Sequence, residues 1–333
     1  MVNYNTERQL YARVANLVDL LYKIGFQFYY KGGNSMIRIE RVDIAITTIC
    51  NFTCSYCRGN PGERKRLPLD EIKHIISNFI ELGARNFRLD GGEPFTYGDE
   101  LFDVLEYLDE RKLKCGIFTN ASLINEKTID KLKKYKDLTL FVTLHILNVA
   151  NEFEKTLSGL KLLSKTDINV ELILIVSKKN IPILEEKLVD IAELGFQLTL
   201  RPIIPIGKAF ENMEQGFGAL TELDVERIEV LLKNEKEKYP SFNVVNAISD
   251  IHKKKDGYHD KSEGFVLHVN TNSEILPSFA AGTSKYLGSA LDLEQMKKKL
   301  EGETVIHFLK SADSAVLERI NGTEQPTNEQ IQL

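Results

Sequence analysis

The 333-residue chain lacks any apolar run of the length that a membrane-spanning helix needs, which is about 18 to 20 residues. Its first residues, from Met1 to Asn5, contain neither the basic nor the apolar segment of a secretory signal peptide. A net charge of −5 leaves no basic excess for nonspecific binding to nucleic acid. These absences lead us to expect a cytoplasmic protein with no nucleic-acid or membrane partner.

Cysteine is also scarce: the chain has four, and none follows Cys115. So few cysteines in a chain of this length cannot form a disulfide framework, which indicates a reducing compartment. Cys115 lies in a strand-like run, where we expect it to be buried and unreactive. The other three, Cys50, Cys54 and Cys57, are too close together to serve three separate tasks.

Thiolate sulfur is a preferred ligand of iron–sulfur clusters and of zinc. A [4Fe-4S] cluster normally takes four cysteines, so three would leave one iron open for chemistry. A structural zinc site needs four ligands, and no fourth Cys or His follows at finger-like spacing. His74, the nearest histidine, falls within a predicted helix. The spacing favours a cluster, and zinc stays open as the alternative at this point.

Short β-rich runs alternate with amphipathic helices from about residue 42 to residue 201. Six successive units of this kind predict an α/β fold with a parallel sheet and right-handed crossovers, either open or closed partly into a barrel. Such folds place their ligand sites at the carboxyl ends of the strands. The cysteine motif follows the first strand, and Gly91-Gly92-Glu93-Pro94 follows the second. The predicted strands span 42–46, 86–90, 114–119, 138–145, 170–176 and 196–201.

The C-x3-C-x2-C spacing, with Tyr56 before the last cysteine, resembles the first signature of the radical S-adenosylmethionine (SAM) superfamily. Gly91-Gly92-Glu93-Pro94, which alone would be a tight turn, resembles its second signature. The two motifs in this order are far more specific than either one. The resemblance covers residues 40–207 and implies a partial (β/α)6 TIM-like barrel of the MoaA/SPASM-like subgroup. It also implies a [4Fe-4S] cluster on Cys50, Cys54 and Cys57, with SAM bound at the open iron.

The same resemblance implies a set of cofactor contacts at the strand ends. Glu93 would support the amine of SAM, and Thr119 and Asn120 would lie near the cofactor. The strand-end residues that would approach the ribose or carboxylate of SAM are Thr143 and the segment from Ser177 to Asn180. Glycines at 91 and 92 would allow the backbone to approach a ligand closely. Asn180 and Pro182 also predict a capped helix start.

Two further side chains are candidates for catalysis. His145 shares a strand face with Thr143 because side chains alternate along a strand. If that face points into the barrel, His145 could contact substrate or transfer a proton, and the alternative is a structural histidine. Arg201 ends the sixth strand, where it could bind a carboxylate through two N–H groups or form an ordinary ion pair.

We predict four segments: 1–40 with a leading helix over 5–24, a radical SAM core over 41–207, an extension over 208–320, and a polar tail over 321–333. The extension contains a predicted linker over 208–220, a helix over 221–238, a hairpin over 265–277 and a helix over 292–300. It is similar to the SPASM/twitch extension of peptide-modifying relatives. Ser262 and Ser278 stand where auxiliary-cluster cysteines would be expected, so the sequence excludes ordinary Cys ligation of a second cluster.

The resemblance implies an enzyme that cleaves SAM reductively to a 5′-deoxyadenosyl radical and takes a hydrogen atom from its substrate. The extension favours a ribosomally made peptide as substrate, with a small polar metabolite as one alternative and a noncatalytic iron–sulfur redox sensor as another. The lack of an auxiliary cluster favours a redox-neutral reaction. A basic loop is either solvated or docks an acidic electron donor such as flavodoxin or ferredoxin; its residues are Arg58, Arg64, Lys65 and Arg66.

Overall fold

The computed structural model of the protein describes residues 38–57, 64–147, 151–204, 207–249, 265–276 and 287–300. The chain divides into two units after Met36, and every described residue belongs to the second. Several predictions concern residues outside the described ranges. They are the leading helix over 5–24, most of the polar run 249–263, Arg58, Ser262, Ser278 and the tail over 321–333.

Ten strands form a single sheet in the described residues. They are β1 Ile39–Thr47, β2 Asn86–Gly91, β3 Lys114–Thr119, β4 Leu138–Leu144, β5 Asn169–Val176, β6 Gln197–Pro202, β7 Val244–Asn246, β8 Phe265–Val269, β9 Glu274–Leu276 and β10 Gly288–Ser289. Strands β1 to β6 confirm the six predicted strands, with ends that shift by a few residues. The hairpin predicted after residue 265 is confirmed by the antiparallel pairing of β8 with β9.

Helices connect the strands, and the helices predicted over 221–238 and 292–300 are confirmed at similar bounds. In the described residues the helices are α1 Leu69–Glu81, α2 Glu100–Asp109, α3 Glu126–Leu132, α4 Glu152–Leu163, α5 Ile181–Ala192, α6 Lys208–Glu211, α7 Glu222–Lys238 and α8 Leu293–Lys299. Gly83 and Gly195 follow α1 and α5 with φ of +92° and +73°, the left-handed conformation that ends a helix. No described helix combines the length and the apolar character needed to cross a bilayer.

The strand order is β10-β9-β8-β1-β2-β3-β4-β5-β6-β7. Strands β1 to β6 are parallel to their neighbours, as predicted, and β7 adds a parallel strand that the sequence pattern did not predict. β8 also pairs with β1 in parallel, which the sequence pattern did not predict. Among the described strands β7 and β10 do not pair, so the sheet is not closed. An open parallel α/β sheet of this kind fits the predicted partial barrel. The boundary predicted between residues 207 and 208 stays a prediction.

The main core lies between the outer face of the sheet and the helices that cover it. In β1, Val42, Ile44 and Ile46 are fully buried on this face, because alternate side chains of a strand point the same way. Helix α1 packs its apolar stripe against the sheet, and that stripe includes Ile72 and Phe79. Each such side chain contributes about 1.5 to 3 kcal/mol through burial. Because these side chains face the helices, the alternate residues of each strand point to the inner face of the sheet.

The inner face of the sheet carries charged side chains instead. Arg41 Nε donates to Asp43 Oδ1 of the same strand at 2.7 Å. Arg88 in β2 is the register partner of Asp43, and Arg201 in β6 is the partner of Ile175. The side chains on this face surround the space where a partial barrel would hold its ligands.

The segment over 208–220 is not a linker, so that prediction was wrong. It forms α6 and a 3-10 turn at Met213–Gln215, and Ala209 and Phe217 are fully buried. These two residues form a small apolar cluster with Ile203, against which Tyr56 packs. The apolar residues of the segment follow no helical or strand period, so the sequence pattern concealed a packed structure.

The extension contacts helix α1 through polar groups. Asn78 Nδ2 donates to the carbonyl of Ala290 at 3.0 Å, and Ser273 Oγ donates to Glu71 Oε2 at 3.2 Å. His74 Nε2 lies 3.1 Å from the carbonyl of Leu291. His74 is thus held inside a helix, as predicted, and faces the extension. These contacts attach the hairpin turn and the segment before α8 to helix α1.

Candidate functional site

The three clustered cysteines lie in the loop that leaves the carboxyl end of β1. Cys50 is exposed, whereas Cys54 and Cys57 are half-buried. The backbone N–H of Cys57 donates to the carbonyl of Cys54 at 3.2 Å, which closes a turn between the last two cysteines. The N–H of Phe52 donates to Cys50 Sγ at 3.4 Å. Backbone N–H groups directed at cysteine sulfur are typical of iron–sulfur sites, where they tune the reduction potential.

Two distant parts of the chain hold this loop in place. Lys208 N donates to the carbonyl of Cys57 at 3.1 Å, and Asn212 Nδ2 donates to the carbonyl of Ser55 at 2.9 Å. From the start of α4, Glu152 Oε1 accepts from the N–H of Thr53 at 3.2 Å. The segment over 208–220 therefore positions the cysteines. Sequence reasoning missed both partners, because nothing in the local pattern marks a contact across so many residues.

His145 contacts the cysteine loop. Its Nδ1 lies 3.2 Å from Cys54 Sγ and 2.8 Å from the hydroxyl of Tyr56. The ring stacks on Tyr56 and meets Phe52 edge-on, with centroid distances of 5.9 and 5.3 Å. Burial lowers the pKa of His145 to about 4, so the imidazole is neutral at pH 7. Its predicted contact with substrate stays a prediction.

The electrostatics of the thiols fit a bound metal group. Burial raises the pKa of Cys54 above its usual range, and the charges of Glu152, Cys57 and Cys50 raise it further. Although Cys50 is exposed as a residue, neighbouring atoms remove part of the water around its sulfur, which also raises the pKa of its thiol. Several thiolates in this loop therefore need nearby positive charge, which coordinated metal ions supply.

The structure also offers a competing arrangement for a single metal ion. Ligand atoms of Cys54, His145 and Glu152 all lie within 4.8 Å of one another. This set uses only one of the three clustered cysteines, whereas a cluster would use all three. The zinc alternative thus has a geometric basis that the sequence spacing did not reveal, and metal analysis distinguishes the two.

The glycine motif packs directly against the start of the cysteine loop. Gly92 N donates to the carbonyl of Thr47 at 2.7 Å, and Glu93 N donates to the carbonyl of Ile49 at 2.8 Å. A Cβ at Gly91 would lie 2.1 Å from the Thr47 carbonyl oxygen, and one at Gly92 would lie 2.3 Å from that of Ile49. These glycines therefore allow two backbone segments to approach closely, whereas the close approach to a ligand stays a prediction. The contact between the backbone segments fixes one signature motif against the other.

Glu93 organises the ends of β2 and β3. Its buried carboxylate accepts from Thr119 Oγ1 at 2.8 Å, from Asn120 N at 2.7 Å and from Phe95 N at 3.1 Å. Burial raises the pKa of Glu93 to about 7, although these three donors oppose the rise. Asn120 Nδ2 also donates to Asn51 Oδ1 in the cysteine loop at 2.9 Å. The predicted cofactor residues 93, 119 and 120 are thus brought together, with Pro94 starting the following 3-10 turn.

The remaining predicted contacts lie at the ends of β4 and β5. Thr143 is half-buried on the inner face of β4. Asn180 is the N-cap residue of α5 and Pro182 lies in its first turn, as predicted, but the Asn180 side chain makes no capping hydrogen bond. The amide instead accepts from Ser177 N at 2.9 Å and donates to the carbonyl of Ile175 at 2.8 Å, which ties it to the strand end. Ser177 Oγ is buried without a hydrogen-bond partner in the described residues, as a site for a polar ligand would require.

The basic loop makes several contacts within the chain. Lys65 Nζ donates to Asn272 Oδ1 in the hairpin turn, and Arg66 donates to the carbonyl of Thr96. Arg66 also lies over the ring of Tyr97. Lys65 and Arg66 are therefore anchored, which limits their freedom to dock an electron donor.

Fold and site together define a class: a parallel α/β protein that can bind metal through three cysteines at the end of its first strand. Comparison with known families agrees, since residues 44–192 match the Radical SAM superfamily. This part of the chain is a radical SAM domain, and the resemblance predicted from the two motifs is confirmed. The family implies a [4Fe-4S] cluster and SAM as cofactors. The three clustered thiols suit a [4Fe-4S] cluster. The buried Ser177 hydroxyl, which has no hydrogen-bond partner in the described residues, suits a polar ligand such as SAM.

Curated relatives share part of this chain. An AdoMet-dependent heme synthase of Methanosarcina barkeri is 28% identical over 55% of this chain and 54% of its own length. A probable GTP 3′,8-cyclase of Sulfurisphaera tokodaii is 27% identical over 62% of this chain and 71% of its own length. The chain therefore spans about half of the heme synthase that it matches.

Solved structures with a similar fold include SuiB of Streptococcus suis bound to its precursor peptide SuiA. It has a TM-score of 0.62 and 16% identity, and the match covers 87% of this chain and 77% of SuiB. The enzyme anSMEcpe, with bound AdoMet and a peptide, has a TM-score of 0.61 and 18% identity over 82% of each chain. At this identity the likeness concerns the fold, and it supports the partial barrel.

Proposed function

We propose that this protein is a radical SAM enzyme that takes a hydrogen atom from a ribosomally synthesised peptide. When bound, a [4Fe-4S] cluster and SAM supply reductive cleavage of a carbon–sulfur bond, which gives a 5′-deoxyadenosyl radical. The observation that carries this proposal is the direct packing of the glycine motif on the cysteine loop, through Gly92 N to the Thr47 carbonyl and Glu93 N to the Ile49 carbonyl.

The residues of the chain have separable tasks in this proposal. Cys50, Cys54 and Cys57 would bind the cluster. The Gly91–Glu93 segment and Asn120 would form one wall of the SAM site, because they share hydrogen bonds with the cysteine loop and with each other. Ser177, whose buried hydroxyl has no hydrogen-bond partner in the described residues, would supply a further contact to SAM.

Water exclusion is the remaining task of the protein, because a carbon radical must meet only its substrate. Phe52, Tyr56 and His145 form a packed aromatic group beneath the cysteine loop. Phe217 extends this group, with its ring centroid 5.9 Å from that of Tyr56. The aromatic side chains would keep solvent from the cluster on the protein side.

A peptide substrate is supported by the fold shared with SuiB and anSMEcpe, whose structures contain peptides. The open edge of the sheet beyond β7 would admit an extended chain more easily than a closed barrel would. The relatives named GTP 3′,8-cyclase favour the alternative substrate, a small polar metabolite. The absence of cysteine after Cys115 favours a redox-neutral outcome, with electrons supplied by a flavodoxin or ferredoxin.

Anaerobic incubation of the reconstituted protein with dithionite and SAM tests the reaction. We expect 5′-deoxyadenosine to form, and Cys54→Ala to abolish it, whereas the buried Cys115→Ala variant should retain it. Bound iron without 5′-deoxyadenosine would favour the redox sensor and contradict the enzyme.

A second assay tests the substrate. Synthetic peptides from short reading frames beside the gene are added in deuterated buffer. GTP is added in a parallel assay to represent a small polar metabolite. Faster formation of 5′-deoxyadenosine together with a deuterium label in the peptide would support a redox-neutral peptide reaction. Loss of two hydrogen atoms would indicate an oxidation, and stimulation by GTP alone would contradict the peptide proposal.

A further inference from the structure

Arg88 lies on the inner face of the sheet, half-buried in the middle of β2. Its guanidinium carbon lies 4.0 Å from the ring centroid of Phe141 and 5.3 Å from that of Phe118. Burial lowers the pKa of Arg88 to about 10, so the group keeps its positive charge at pH 7. The two rings support one face of the guanidinium and leave its edge available for hydrogen bonds.

A glycine makes this arrangement possible. Gly116 lies in β3, between the strand of Arg88 and that of Phe141. A Cβ at position 116 would lie 2.7 Å from Phe141 Cε2 and 2.9 Å from Arg88 Cγ. The missing side chain therefore lets Arg88 cross β3 and reach the ring two strands away. The guanidinium is held by its surroundings, which is what a preorganised binding group requires.

The charge of Arg88 has no ion-pair partner in the described part of the chain. Asp43, its register partner, is instead bound to Arg41, with Nε to Oδ1 at 2.7 Å. Besides burial, the positive charges of Arg41 and Arg201 lower the pKa of Arg88, and the negative charges of Asp43 and Glu171 raise it. Nε of Arg201 is also buried and lacks a hydrogen-bond partner in the described residues.

A partly buried guanidinium without an ion-pair partner is unfavourable in the free protein, because it has lost part of its water and the more distant carboxylates replace little of it. The charges that act on Arg88 belong to Arg41, Arg201, Asp43 and Glu171, and Arg41 is bound to the carboxylate of Asp43. The remaining positive charges belong to Arg88 and Arg201. An anionic group between them would supply what both lack.

We propose that Arg88 and Arg201 form an oxyanion-binding site that holds a carboxylate or phosphate of the substrate on the inner face of the sheet. This inference rests on the proposed function, and it narrows the substrate to one with an anionic group. Guanidinium forks bind such groups through paired N–H donors, which fixes orientation as well as position. The site would thereby direct one substrate hydrogen towards the strand ends where SAM is expected.

Thermal unfolding of the full chain tests the site, at constant ionic strength with chloride as the reference anion. Pyrophosphate is the phosphate probe and glutarate is the carboxylate probe. We expect one of them to raise the melting temperature by at least about 3 °C, since a ligand stabilises the state that binds it. The rise should disappear in Arg88→Met and in Arg201→Met. Arg111→Met is the matched control, because Arg111 stacks on Tyr107 at 3.6 Å but is exposed on the surface.

The variants also separate binding from a structural role. Arg88→Met keeps the apolar stem, and in chloride alone we expect it to melt no lower than the wild type, since it removes an unpaired charge. Arg88→Lys keeps the positive charge but lacks the paired N–H donors of a guanidinium. It should retain only part of the probe-induced rise in melting temperature. A lower melting temperature of Arg88→Met in chloride, combined with no probe effect on the wild type, would assign Arg88 to packing and overturn the proposal.

The probes identify the source of the anion. A rise with pyrophosphate supports a nucleotide-like substrate, and a rise with glutarate supports an acidic peptide. If a probe raised the melting temperature equally in the wild type and all variants, the rise would be a bulk salt effect and the proposed site would be overturned. SAM is tested as a separate arm, and a SAM-induced rise lost in Arg88→Met would assign Arg88 to the cofactor and overturn the proposal. The assay needs no SAM cleavage, so failure of the site is distinguishable from failure of the enzyme proposal.

Discussion

Nδ1 of His145 lies 3.2 Å from Sγ of Cys54, although 91 residues separate them in the chain. The imidazole is neutral at pH 7, because burial lowers the pKa of His145 to about 4. A neutral ring carries a single N–H, and Tyr56 competes for the same nitrogen at 2.8 Å. When Cys54 is a metal-bound thiolate it can only accept, so the N–H on Nδ1 should donate to it. His145 is then a positioning residue for this ligand.

Replacing His145 with Phe should lower the reduction potential of the reconstituted cluster. Phenylalanine keeps the contacts with Phe52 and Tyr56 but removes the donor to Cys54 Sγ. A hydrogen bond to thiolate stabilises the reduced and more negative cluster. Loss of a hydrogen bond that contributes about 1 kcal/mol corresponds to a decrease in reduction potential on the order of 40 mV. A redox titration followed by electron paramagnetic resonance measures the change.

Tyr56→Phe is the matched control for this variant. It removes the hydroxyl that competes for Nδ1 and leaves the ring in place. The hydrogen bond to Cys54 should then become stronger, and the potential should rise or stay constant. An unchanged potential in His145→Phe would show that the imidazole donates no hydrogen bond to the thiolate.

Each of Cys50→Ala, Cys54→Ala and Cys57→Ala should lose bound iron and the broad absorbance at about 400 nm that thiolate-bound clusters show. Cys115→Ala should keep both, because Cys115 is buried in β3, where burial raises the pKa of its thiol to about 12. Iron, zinc and sulfide are measured in all four variants after anaerobic reconstitution. Zinc binding that depends on Cys54, His145 and Glu152 but not on Cys50 would instead support the single-ion site.

The sequence predicted those parts of the fold that repeat. Strands β1 to β5 carry buried apolar residues, in β1 and β2 alternating with charged ones, and each is followed by a helix with apolar residues on one side. A helix-covered outer face imposes that pattern, so it can be read from residue order alone. The two signature motifs were equally visible, because each is contiguous in the chain. Their packing against each other followed from the rule that parallel strands end at the same edge.

The sequence could not predict contacts that depend on tertiary structure. Asn212 and Glu152 hold the cysteine loop from segments far away in the chain, and neither belongs to a motif. The pairing of β8 with β1 was hidden because a short strand carries no information about its neighbours. Arg88 looked like an ordinary strand residue before Gly116 and Phe141 were seen around it.

Gly92→Ala should disturb both the fold and the metal site. The added Cβ would lie 2.3 Å from the carbonyl oxygen of Ile49 and 2.5 Å from its carbon, so one backbone segment must move. Overpacking of this kind costs about 1 to 3 kcal/mol. Because Ile49 directly precedes Cys50, the same displacement should reduce iron binding. Urea unfolding and iron content are the two measurements.

Gly218→Ala provides the control for this substitution. Its Cβ would meet only Met213, at 3.7 Å or more, which is ordinary van der Waals contact. We expect a change below about 0.5 kcal/mol and normal iron binding. If Gly92→Ala binds as much iron as Gly218→Ala, the packing of the glycine motif on the cysteine loop does not position the ligands.

The buried carboxyl of Glu93 should make the stability of the metal-free chain depend on pH. Burial raises the pKa of Glu93 from 4.5 to about 7 in the folded state. The folded chain therefore holds this proton more tightly than the unfolded chain does. Its contribution to stability is fully present below pH 4.5 and is lost as the pH rises to about 7. The loss amounts to about 3 kcal/mol over this window.

Glu93→Gln isolates this effect, because glutamine cannot titrate and all other groups cancel in the difference between the two proteins. The unfolding free energy of the wild type minus that of the variant should fall by about 3 kcal/mol between pH 4.5 and pH 8, measured by urea unfolding under reducing conditions. A difference that rises with pH would mean that the donors Thr119 Oγ1, Asn120 N and Phe95 N outweigh burial. In that case the folded carboxylate would be charged, and its pKa would lie below 4.5.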